Sequence, residues 1–141
     1  MTEFETIFID TSPFIYLIEK YPVFGDFIEK FLSEQFSNEA KFYTSVISVS
    51  EFKVGSKRTN QLQAPAHFNE LFDKFGFSVF NITYETADVA SSMKAKYPFL
   101  KGLDSLQIAS TINSGCKSFF TNDSQLKKIK ELNIILDTEL I

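Results

Sequence analysis

Short apolar runs alternate with helix-patterned stretches along the whole chain, and this alternation restricts the fold more than any other feature. Residues 6–9, 41–44, 77–82, 117–121 and 134–136 have the length and apolar or alternating character of strands. Helical patterns fill 14–20, 23–34, 46–57, 66–74, 84–96 and 104–112, and a lysine-rich helix is expected over 124–132. Strand and helix in regular succession imply a mostly parallel sheet covered on both faces, a three-layer α/β/α domain. At 141 residues the chain is large enough for one such domain, 1–141, and too short for two.

Local signals mark the element ends. Ser12-Pro13 places a capping hydroxyl before a proline suited to the first helical position, and Tyr21-Pro22 stops that helix. Ser45 is a cap for the stretch 46–57, although β-branched Val46, Ile47 and Val49 leave its type open between helix and strand. Residues 56–65 are polar and read as a mobile loop. Gly76 and Gly115 end helices, and Thr83 caps another.

Composition excludes several functions. Lysine and arginine number 14 against 18 acids, a net charge of −4, so the chain is not built to coat nucleic acid through bulk positive charge. One cysteine, Cys116, and one histidine, His67, can make neither an internal disulfide nor a four-ligand zinc site. The start, Met1 to Glu5, is acidic where a secretory signal is basic and then apolar, and no run reaches the roughly 20 apolar residues of a membrane span. A cytoplasmic, reducing location is the expectation. Seventeen phenylalanines and no tryptophan recur at strand or helix spacing, so they read as core.

Four carboxylates adjoin would-be core segments: Asp10 and Asp123 follow strands, Asp104 opens a helix, and Glu51 sits between Ile47 and Val54 on an apolar flank. Acids at such places must be paired, metal-bound or protonated. In open parallel sheets ligands bind beyond the carboxyl ends of the strands, where helix N-termini also gather. A cluster there repels itself unless a cation intervenes, and oxygen-only ligands favour Mg2+ or Mn2+. Thr11, Ser12 and Thr121 are hydroxyls placed to orient the carboxylates. Taken singly, each acid has another explanation: Asp10 a turn and cap, Asp104 and Asp123 helix-dipole charges, Glu51 a lysine pair.

Together Ile7-Phe8-Ile9-Asp10-Thr11-Ser12, Thr44-Ser45 to Ser50-Glu51-Phe52, Leu103-Asp104-Ser105-Leu106-Gln107-Ile108-Ala109 and Phe120-Thr121-Asn122-Asp123 resemble the ordered motifs of PIN-domain ribonucleases, including VapC-type toxins. The resemblance spans nearly the whole chain. It implies a Mg2+- or Mn2+-dependent endoribonuclease with Asp10, Glu51, Asp104 and Asp123 as the catalytic acids. Asp10, Asp104 and Asp123 would hold metal, Glu51 would ligate or orient water, and Thr121 would brace the pocket. It further implies an RNA substrate, an antitoxin partner and a homodimer. Where the toxins often carry asparagine two residues after the first acid, this chain has Ser12.

Lys53, Lys57 and Arg58 could contact RNA phosphate beside Glu51, or form a solvated helix face; Lys101, Lys127, Lys128 and Lys130 are further candidates. His67 and Cys116 read as structural. Two rival functions remain: a catalytically silent PIN domain that binds RNA or protein, and a receiver-like or phosphohydrolase domain in which Asp10 alone is phosphorylated.

Overall fold

The computed structural model describes residues 5–140, so the reading of the acidic start at residues 1–4 lies outside the described residues. The strands β1 Thr6–Ile9, β2 Lys41–Ser45, β3 Ser78–Phe80, β4 Ser118–Thr121 and β5 Asn133–Leu136 form a five-stranded sheet among the described residues, in the order β3-β2-β1-β4-β5. Every pairing is parallel, with Ile7 beside Phe42 on one side and Phe8 beside Phe119 on the other. The helices are α1 Thr11–Ile18, α2 Phe24–Ser37, α3 Val46–Arg58, α4 Ala64–Phe75, α5 Tyr84–Lys96 and α6 Gly102–Asn113.

The pleat separates two apolar clusters. Ile7, Ile9, Phe42 and Phe120 join Phe14 and Leu17 of α1, Ile28 and Leu32 of α2, and Leu71 and Phe75 of α4. Phe8, Phe119 and Ile134 face the other way, toward Met93 of α5 and Ile108 of α6. Both faces of the sheet are therefore covered, as a fully parallel sheet requires. The phenylalanines fill this interior: the Phe14 ring meets Phe52, Phe68, Phe72 and Phe77 edge to face at 5.6–6.3 Å.

Several boundaries differ from the sequence expectation. α1 starts directly after β1, because Asp10 and not Ser12 caps it, its carboxylate accepting from Thr11 N at 2.8 Å. Pro13 then falls in the first turn, where a missing N–H costs no intrahelical bond. The expected lysine-rich helix over 124–132 is a 3-10 turn, Ser124–Lys128, closed by the bonds Leu126 N to Asp123 O and Ile129 N to Leu126 O. Buried Leu126 and Ile129 lie three apart, the spacing a 3-10 turn aligns. The ambiguous stretch after Ser45 is a helix, since the Ser45 hydroxyl accepts from Ile47 N at 3.1 Å. It continues to Arg58, and α4 begins at Ala64, so the expected loop over 56–65 shrinks to residues 59–63.

Candidate active site

The sheet order places a reversal between β1 and β4: the chain adds strands on one side of β1 as far as β3, then crosses to the other side for β4. A crevice opens at the carboxyl ends of strands at such a reversal. Asp10 ends β1 and donates its N–H to Phe120 O at 2.9 Å, while Asp123 follows β4 and caps the 3-10 turn by accepting from Gln125 N at 3.0 Å. α6 brings Asp104 in its first turn, and α3 brings Glu51. All four acids line one concavity of about 520 Å3, with Thr11, Ser12, Lys101, Gln107 and Asn122 also on its wall. No ion pair among the described residues involves any of the four.

Asp10 is the most constrained of them. Its Oδ1 accepts from Thr11 N at 2.8 Å and Gln107 Nε2 at 3.1 Å, and its Oδ2 from Thr121 Oγ1 at 2.8 Å. Burial nevertheless pushes its pKa up from 3.8 to about 6; these three bonds oppose the rise, and the Asp104 carboxylate adds to it. Thr121 also accepts from Asp123 N at 3.2 Å, so one hydroxyl ties the ends of β1 and β4 together.

Gln107 was not foreseen as a site residue. It is 3% exposed, and its amide is the hub of a directed hydrogen-bond chain. Ser45 Oγ donates to Gln107 Oε1; Gln107 Nε2 donates to Asp10 and, at 2.8 Å, to Ser48 Oγ. Thr11 Oγ1 donates to Glu51 Oε1 at 2.9 Å, so its 3.2 Å contact with Ser48 Oγ must carry the Ser48 proton. Each hydroxyl proton thus has one place, and the chain ends on two carboxylates, Asp10 and Glu51. The available signal was a polar side chain three residues after Asp104, between Leu106 and Ile108. Ser48 left a fainter one.

Two expectations need correction. Glu51 is exposed at the rim rather than turned into an apolar flank, because α3 buries Ser48, Phe52 and Ser56, one position round from Glu51, and Val54 is open to solvent. Ser12 lines the concavity but makes none of the side-chain hydrogen bonds that hold the acids; Thr11 and Thr121 make them. Lys53, Lys57 and Arg58 are exposed on α3 and do not line the concavity, whereas Lys101 does. Asp88, on α5, does not line it either.

His67 stands apart from the four acids: its Nδ1 meets Ile18 O on the wall of a separate, larger hollow of about 670 Å3 between α1 and α4. That hollow holds Glu19, Lys20 and Glu70 but none of the four acids. Cys116 is buried, which pushes its thiol pKa up and keeps it unreactive.

The donors match a hard divalent cation in kind: carboxylate oxygens, with no thiol or imidazole in the concavity. They are not gathered into a cage. Among the described residues no three of His, Cys, Asp or Glu stand close enough to hold one ion, so the carboxylates would have to turn inward to share one.

A family model described as PIN domain matches residues 7–132. The chain belongs to the PIN domain family. Solved structures with the same fold include VapBC2 of Rickettsia felis bound to a DNA fragment from its promoter, at TM-score 0.73 and 16% identity over 92% of this PIN chain and 96% of that one. A toxin-antitoxin complex from Klebsiella pneumoniae superimposes at 0.68 and 18% identity, covering 93% and 97%. VapC20 of Mycobacterium tuberculosis, a sarcin-ricin loop cleaving toxin, does so at 0.65 and 15%, covering 90% and 98%. No curated protein matches this PIN domain by sequence. No helix among the described residues is long and apolar enough to cross a membrane.

Proposed function

We propose that this PIN domain is a metal-dependent endoribonuclease, the toxin of a toxin-antitoxin pair. The observation that carries the reading is the meeting of Asp10, Glu51, Asp104 and Asp123 around one concavity with no cationic partner in an ion pair among the described residues. Asp10, Asp104 and Asp123 would hold Mg2+ or Mn2+. The bound ion supplies positive charge that acidifies water and stabilises the leaving oxygen of a phosphodiester.

The remaining work falls to the chain. Gln107, Thr11 N and Thr121 hold Asp10 in one rotamer and favour its charged form. Glu51, fixed through one oxygen by Thr11, keeps the other for the attacking water. Lys101, on the same wall, meets the phosphate as a point charge. Similarity to the VapBC proteins supports an antitoxin as the protein partner. We also infer a homodimer.

Cleavage of a panel of structured RNAs with Mg2+, Mn2+ or chelator tests the reading. Chelator should abolish cleavage, and Asp10→Asn and Asp104→Asn should each reduce it by about 100-fold or more. Wild-type rates in both variants would overturn the nuclease and leave the silent-domain reading.

A further inference from the structure

Beside the acidic concavity an aromatic ladder ends on an open ring. Tyr21 stacks on Tyr16 with ring centroids 4.7 Å apart and planes 26° apart, and Tyr16 stacks on Phe24 at 5.9 Å and 30°. Tyr16 and Phe24 pack against the apolar core, whereas Tyr21 is 49% exposed. Asn122, on the wall of the acidic concavity, donates from Nδ2 to Tyr16 Oη at 3.4 Å. The ladder therefore starts in the core, touches the rim of the acidic site, and finishes in solvent.

The backbone is bent to hold Tyr21 there. Lys20 has φ +52°, and Val23 has φ +70° and ψ −63°, a tight turn closed by Phe24 N to Pro22 O at 2.9 Å. A β-branched residue rarely adopts that conformation, and such outliers concentrate where a segment has a task beyond packing. Two residues on, Gly25 allows α2 to start against the end of α1: a Cβ there would lie 2.9 Å from Tyr16 O and 3.1 Å from the Lys20 carbonyl carbon. Tyr21 N donates to Tyr16 O at 2.9 Å and Gly25 N to Tyr21 O at 2.8 Å, so the bend is pinned on both sides. Core packing accounts for Tyr16 and Phe24. It leaves unexplained why a strained segment presents one more ring to water.

We propose that Tyr21 is a stacking platform for an unpaired base of single-stranded RNA whose backbone enters the acidic concavity. The proposal rests on the RNA-cleaving reading of that concavity. Every base has a π-face, so an open tyrosine receives any unpaired base, whereas a base inside a duplex is already stacked on its neighbours. The platform accordingly selects unpaired RNA without reading its sequence.

Binding of a fluorescein-labelled single-stranded RNA of mixed sequence, measured with Ca2+ in place of Mg2+ or Mn2+ and with the RNA checked to be intact afterwards, tests this. Tyr21→Phe should bind like the wild type and Tyr21→Leu roughly 5- to 100-fold more weakly, with the duplex form of the same RNA indifferent to either change. Denaturation midpoints of both variants establish that they fold. The chain has no tryptophan, so Tyr21→Trp adds a direct reporter: single-stranded RNA should quench its fluorescence and inorganic polyphosphate should not. Wild-type affinity in a folded Tyr21→Leu, an unquenched Trp with RNA bound, or no binding by the wild type would each overturn the platform. A protein that binds in this way yet cuts nothing keeps the platform and loses the nuclease; cutting with unchanged binding in Tyr21→Leu does the reverse.

Discussion

Burial of the Asp10 carboxyl gives this protein's stability a pH dependence. In the metal-free protein Asp10 has a pKa of about 6 against 3.8 when exposed, so between these values the folded state keeps a proton that the unfolded chain releases. Its contribution is therefore most favourable below pH 3.8 and is lost as pH rises through about 6, a change of about 3 kcal/mol. Asp10→Asn removes that term. Urea denaturation without metal should show the asparagine variant gaining on the wild type between pH 4 and pH 7 by up to about 3 kcal/mol, and saturating Mg2+ or Mn2+ should erase the gain by stabilising only the wild type. A constant difference across that range would refute the assignment. Asp10 was legible in the sequence because a charge directly after the apolar run Ile7-Phe8-Ile9 must be paired, metal-bound or protonated. Its role as the cap of α1 was weighed only as the alternative to a ligand, and the geometry permits both.

Among the elements, α3 and α6 depend on each other through polar atoms rather than apolar ones. Ser45 and Ser48 at the start of α3 meet Gln107 of α6, all three buried, and through them Asp10 and Glu51 are held in one frame. Gln107→Leu keeps the volume and removes the amide. It should cost about 1–3 kcal/mol in urea denaturation, because buried hydroxyls lose their partners, and reduce RNA cleavage about 10- to 100-fold. The amide favours the charged form of Asp10, so its loss should also move the acid limb of the pH-rate profile to higher pH. An unmoved limb with normal cleavage would show that the chain of hydrogen bonds has no part in the reaction. Hydrophobic periodicity marked α6, while β-branched Val46, Ile47 and Val49 left the type of α3 open; this contact was hidden because the buried stripe of α3 is Ser48, Phe52, Ser56, and serine carries no apolar signal. The 3-10 turn at Ser124–Lys128 is not separable from a helix in the sequence because Leu126 and Ile129, three residues apart, satisfy both patterns.

For the whole molecule, the phenylalanines offer little surface for association: Phe14, Phe42, Phe52, Phe75, Phe119 and Phe120 are buried, and Phe36 is the phenylalanine among the exposed large apolar residues. The proposed homodimer is open to test at Leu62, in the turn before α4 and 86% exposed. Light scattering should give twice the chain mass for the wild type and the single mass for Leu62→Asp; a monomeric wild type at high concentration would refute the dimer. The alternation of strand and helix was written in the residues, since period-two and period-3.6 burial patterns are local properties of the chain, and with it came the α/β/α class and the end of the sheet where Asp10 and Asp123 stand. The strand order, the hub role of Gln107, the exposure of Glu51 and the place of Lys101 on the wall of the concavity came only from the tertiary structure. Those depend on which elements lie side by side, a long-range relation between residues such as Asp10 and Gln107 that no local pattern encodes.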